Sequence, residues 1–234
     1  MHPDLILQTY STDDEGELQD VLQDLAASGI KSEVKIHQPG PQAALEWFVP
    51  TALMLWASDK YFGAILAESG KDSYQALKRF ASKVFDKTLG KKATVTRTIK
   101  TVDGTTKPDV VFSGNLSIVY GSVEGWKAKL LFPLDITSVD YEVACKHFAL
   151  LVVNYINNPS TSPLAIEAAL ALEEKSRELP SCLRASELNK SVRLMIYWNA
   201  SEECFCVLDP FASSMSGKLV SRPLGFRTKH TSGD

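Results

Sequence analysis

Within the first 36 residues the hydrophobic period changes from strand to helix and back, and that change limits the chain to a sheet covered by helices. Leu5-Ile6-Leu7 opens a short strand. Ser11-Thr12-Asp13-Asp14-Glu15 then sets hydroxyls ahead of acids, the order that caps a helix N-terminus. Leu18, Val21, Leu22 and Leu25 recur at helical spacing, and Gly29 suits the left-handed position that ends a helix. Ile30, Val34 and Ile36 restore a strand, with Lys31, Glu33 and Lys35 outward. Strand, helix and strand in so short a run predict parallel strands joined by a right-handed crossover.

Beyond the Gln38-Pro39-Gly40-Pro41 turn, residues 47–67 are apolar on nearly every side of a helical wheel for two turns, which predicts a central helix. Ser69-Gly70-Lys71-Asp72 stops that helix and caps the next. There Tyr74, Leu77, Phe80, Ala81, Val84 and Phe85 share an arc of roughly 140°, and Lys71, Lys78, Arg79, Lys83 and Lys87 fill the other side. From Lys92 the period becomes two: residues 94–102, an Asp103-Gly104 turn, residues 109–120 and residues 126–132 read as an antiparallel meander. Residues 141–156 and 163–179 return to helical spacing, the second capped by Ser162 with Pro163 in its first turn. Residues 192–198 and 204–208 predict a closing hairpin, and residues 212–234, which lack periodicity, a mobile tail. The expected fold class is α+β: an N-terminal βαβ unit, a central helix pair, an antiparallel meander, two further helices and a closing β-hairpin. It forms one domain over residues 1–211, or one divided near residue 90.

The βαβ start followed by Trp47, Pro50, Lys60-Tyr61-Phe62, Gly70-Lys71-Asp72, Tyr74 and Leu77-Lys78 resembles a group of uncharacterised bacterial proteins that share such a helical segment. The resemblance covers about the first 90 residues and implies a bacterial cytoplasmic setting; it brings no activity, cofactor or catalytic residue.

A net charge of -3 and a pI near 5.9 oppose nucleic-acid binding by the whole molecule, which needs a concentrated positive field. Local charge is less even. Residues 1–70 carry 11 acids against 3 bases, and residues 71–107 carry 10 bases against 3 acids. The longest mainly apolar uncharged run, residues 47–58, is short of the roughly 20 residues of a membrane helix. No secretory signal is read at the N-terminus, so Cys145, Cys182, Cys204 and Cys206 are expected to be reduced thiols.

Individual motifs fail on spacing. Asp13 and Asp14 match the acid pair of receiver domains, but no Asp ends a third strand, and acids are favoured at a helix start in any case. Gly70-Lys71 lacks the preceding Gly and following hydroxyl of a phosphate loop. Cys145 and His147 stand two apart on a helix and diverge by about 200°, so Cys145 is expected in the core. Cys204 and Cys206 share a strand face, as a metal would require, but Cys182 and His230 complete no familiar ligand pattern, and no metal or cofactor is expected.

The functional expectation is a non-catalytic interaction or regulatory module. Lys78, Arg79, Lys83 and Lys87 would contact an acidic protein partner or anionic ligand, with nucleic acid and membrane disfavoured. The competing expectation is an enzyme or small-molecule binder whose pocket gathers Tyr10, Asp13, His37 and His147 from separate elements.

Overall fold

Among the described residues, eight strands form one mixed sheet, and the longer helices lie against one of its faces. The computed structural model describes residues 3–9, 14–26, 30–36, 53–59, 62, 71–95, 111–178, 192–216 and 218–227. Strand β1 (Leu5–Thr9) leads through α1 (Glu15–Ala26) to β2 (Ser32–Ile36), which pairs with β1 in parallel. At the turn between β1 and α1, the Thr9 hydroxyl donates to Asp14 Oδ2 at 2.8 Å, and Glu15 and Glu17 complement the helix dipole. The strand–helix–strand start with parallel strands is as the sequence predicts.

Strand β3 (Leu53–Ala57) lies antiparallel to β1 and parallel to β4 (Phe112–Gly121), and α2 (Lys71–Thr88) stands between β3 and β4 in the chain. Here the expected central helix is corrected for residues 53–57. Leu53, Leu55 and Ala57 turn toward the helices and Met54 and Trp56 toward the opposite face, so the strand is apolar on both sides. Such a run mimics a buried helix, because the polar half of the alternation is missing. Residues 94 and 95 belong to a bend after α2 rather than to a strand; residues 96–102 and the Asp103-Gly104 turn lie outside the described residues.

The chain continues through β5 (Lys127–Pro133), α3 (Ser138–Asn157), α4 (Pro163–Glu178), β6 (Arg193–Asn199), β7 (Cys204–Leu208), the short α5 (Pro210–Ser216) and β8 (Ser221–Arg227). The Thr137 side chain caps α3 by accepting from the Asp140 amide at 3.1 Å, and Ser162 caps α4 by accepting from the Ala165 amide at 3.2 Å. Strand order is β2-β1-β3-β4-β5-β6-β7-β8. One sheet therefore crosses residue 90 without a break.

Strand β8 corrects the expected tail over residues 221–227. Leu224 is buried there, and Arg222 pairs with Glu167 of α4. A seven-residue edge strand containing Pro223 carries little alternation, so pairing with β7 and one helix contact, not its own pattern, order it.

The helix-covered core joins Leu18, Val21 and Leu25 of α1, Phe80 and Val84 of α2, Phe148 and Val152 of α3, and Leu164 of α4 to the even-numbered residues of β4, β5 and β6. Phe62 packs edge-on to Tyr120 at 5.7 Å and to Phe148 at 5.5 Å between ring centroids. A smaller cluster on the opposite face comprises Phe112, Leu131, Met195, Tyr197, Cys204, Cys206 and Leu208. Strands β1 and β5 run the same way, and the chain leaves them in opposite lateral directions with its helices on one face. The β1-α1-β2 and β5-α3-α4-β6 crossovers consequently have opposite hands, and the right-handed rule cannot hold for both. Among the described residues, no helix is long and apolar enough to cross a membrane.

Candidate functional site

Helix α2 divides as its sequence predicts. Phe80 and Val84 are buried, and Lys78, Arg79 and Lys83 are exposed. The borders of the cationic arc are occupied: Lys78 Nζ lies 3.7 Å from Glu142 of α3, and Lys87 Nζ lies 2.9 Å from Glu17 of α1. Glu17 also accepts from the Thr94 hydroxyl, and these bonds, Thr94 first and Lys87 next, hold its carboxyl below the usual range. Part of the charge asymmetry along the chain is thus spent on fastening α2 to its neighbours. Arg79 and Lys83 stand on the exposed arc between the two braces.

Of the alternative pocket, Tyr10, Asp13 and His37 lie outside the described residues, as do Cys182 and His230. His147 of α3 stacks on Trp198 of β6 at 4.4 Å with an interplanar angle of 3°. Trp198 meets Phe205 edge-on at 5.1 Å. Strand β1, which leads into Tyr10, is four places from β6 in the sheet, roughly 19 Å at the usual strand spacing. Cys145 is half-buried at the border of the core rather than within it, and burial of its thiol pushes it up to about 12, which lowers its reactivity.

A polar and aromatic cluster lies at the β4–β5 hairpin, in the middle of the sheet. Trp126 and Tyr155 meet at 4.8 Å, Tyr120 lies 5.9 Å from Tyr155, and the Trp126 indole donates to Glu124 at 2.9 Å. Burial, followed by the Asp59 carboxylate, pushes the Tyr120 phenol well above its ordinary value. Burial likewise raises the Tyr155 phenol, and keeping both tyrosines neutral suits packing rather than proton abstraction. On the face away from the helices, the Trp56 indole donates to Gln8 at 3.0 Å and Lys127 Nζ sits 4.8 Å above the Trp56 ring. Desolvation, then Arg193, lowers the Lys127 pKa.

The β6–β7 hairpin brings together a set that sequence reasoning saw only in part. Asn199 Oδ1 accepts from the Ser201 amide and hydroxyl, and Glu203 takes a left-handed φ of 49°, which reverses the chain into β7. Glu202 is thereby returned to the side of Cys204 and Cys206, and the ligand atoms of all three lie within 4.8 Å of one another. The Cys204 thiol points at Glu202 Oε2 at 3.7 Å. Burial, followed by Cys206, pushes that thiol up to about 11. Glu-x-Cys-x-Cys alternation was visible in the sequence, but the turn obscured that Glu202 keeps step with β7. No protein-family model, curated protein or solved structure matches this chain.

Proposed function

We propose that the protein is a non-catalytic interaction or regulatory module of the bacterial cytoplasm that docks an acidic protein partner on the cationic arc of α2. The observation that carries this reading is the placement of Arg79 and Lys83, exposed on a helix whose other side is anchored in the core by Phe80 and Val84. Exposed cations gathered on one helix face accelerate encounter with an acidic surface. Arg79 and Lys83, the exposed cations of the arc, make the contact.

The test reverses only the contact charges. Arg79→Glu/Lys83→Glu should melt like the parent, because exposed charges contribute about 0–1 kcal/mol each. It should lose at least roughly tenfold in affinity for a partner recovered by cross-linking from the native host, and for an acidic model peptide. Parent binding should weaken as salt rises, since screening limits exposed charges to about 8 Å at physiological ionic strength. A folded variant that binds equally at every salt concentration would leave the arc as a solvated surface and overturn the reading.

A further inference from the structure

The turn and strand entering the small cluster read Glu202-Glu203-Cys204-Phe205-Cys206, and the side chains of Glu202, Cys204 and Cys206 converge. We propose that Glu202, Cys204 and Cys206 form a binding site for a thiophilic divalent cation, zinc foremost, at the β6–β7 hairpin. This departs from the sequence expectation of no metal, which lacked Glu202 as a ligand.

Distance is the first argument. A tetrahedral zinc with bonds of about 2.3 Å to sulfur and 2.1 Å to oxygen separates its ligand atoms by roughly 3.6–3.8 Å. Cys204 Sγ and Glu202 Oε2 are already 3.7 Å apart, and the whole set falls within 4.8 Å, so small side-chain rotations close the site. The ligand types agree, because two sulfurs and a carboxylate suit zinc better than the hard cations that require oxygen.

Surroundings are the second argument. Cys204 and Cys206 are buried, with Phe112, Leu131, Met195 and Leu208 in the same cluster, whereas Glu202 is exposed. The apolar side strengthens the attraction between cation and thiolate, and the exposed carboxylate marks the entry side. Tyr197, opposite Cys206 in the sheet register, has its hydroxyl tied to Ser221 at 2.8 Å and supplies a fixed polar neighbour.

A disulfide fits the same atoms poorly. Residues two apart on a strand are about 6.6 Å apart with parallel side-chain directions, whereas a disulfide needs Cβ atoms within roughly 3.5–4.5 Å. An ion bridges the gap that a sulfur–sulfur bond does not.

The binding step balances as one divalent cation plus two thiols and one carboxylate giving a bis-thiolate complex and two released protons. The fourth position is left to water. Affinity should therefore rise about a hundredfold per pH unit below the thiol pKa values.

The full chain, stripped with chelator under reducing conditions, is titrated with zinc by calorimetry in buffers of different ionisation enthalpy, and with cobalt(II) by absorption. One equivalent, two protons released and a thiolate-to-cobalt charge-transfer band are expected. Cys204→Ala and Cys206→Ala should each lose tight binding, and Glu202→Gln should weaken it on the order of tenfold while keeping the band. Glu203→Gln should bind like the parent. Since Glu202 is exposed, its variant tests the site even where a cysteine variant unfolds. Absence of stoichiometric zinc binding, binding retained in the Cys204→Ala/Cys206→Ala protein, or unchanged affinity in Glu202→Gln would each overturn the assignment.

Discussion

Truncating Arg222 to alanine tests whether the last strand is held to the body of the protein by charge. Arg222 reaches from β8 to Glu167 on α4, and the two side chains differ in setting: 51% of the arginine but only 9% of the glutamate is accessible. One carboxylate oxygen of Glu167 receives the guanidinium, and the other is buried without a hydrogen-bond partner. Breaking a fully buried pair costs about 3–5 kcal/mol, and an exposed pair no more than about 1 kcal/mol. With the acid buried and the base half in water, Arg222→Ala should cost about 2 kcal/mol, a fall in Tm of roughly 4–8 °C for a chain of this length. Glu167→Leu should cost less, because the arginine left behind can turn to solvent. Combining the two, as Arg222→Ala/Glu167→Leu, should return within about 1 kcal/mol of the parent. Urea unfolding of the four proteins completes the cycle, with an expected coupling of about 1–3 kcal/mol. A loss below about 0.5 kcal/mol in Arg222→Ala, with no coupling, would refute the docking of β8 through this pair.

Phe148, fully buried against Phe62 and Phe205, should cost about 3–5 kcal/mol on truncation to alanine, measured by urea unfolding. Glu17 ionises more readily in the folded protein than at its ordinary value of 4.5, so its contribution is present above that pH and lost as pH falls through the lower folded value. Its side chain is 43% accessible, which limits the effect to about 1 kcal/mol after screening; Glu17→Gln should flatten the acid limb of a stability-against-pH curve by that amount. Cys145, with its thiol at about 12, should resist iodoacetamide at pH 8 in the native protein and react once urea unfolds it. Rapid native labelling at Cys145, followed by peptide mass analysis, would contradict its enclosure.

Legibility in the sequence followed the polarity contrast between the two sides of each element. Helix α1 and strand β2 were readable because Leu18, Val21, Leu22 and Leu25 alternate with acids and Ile30 and Val34 with charged neighbours. Strand β3 was not, because Leu53, Leu55 and Ala57 face the helices while Met54 and Trp56 offer no polar contrast. The cationic arc of α2 was visible from Lys78, Arg79 and Lys83 alone. Its braces were not, since Glu17 lies 70 residues from Lys87 and only the packing of α1 on α2 brings them together. At the β6–β7 hairpin the shared face of Cys204 and Cys206 followed from strand periodicity, but the place of Glu202 depends on the left-handed turn at Glu203.

Among the described residues the sheet is open, and β2 and β8 present two rows of backbone groups against which another chain could polymerise. Each end is blunted by its own residues. On β2, Glu33 and Lys35 pair at 2.7 Å and place opposite charges beside the rim, so an added strand would have to dehydrate both. On β8, Pro223 offers no amide hydrogen to an incoming strand, and the exposed Arg222 stands beside it. Fibre growth by strand addition is thereby discouraged at both rims by the strands' own residues, which favours association through side-chain surfaces instead of through the backbone.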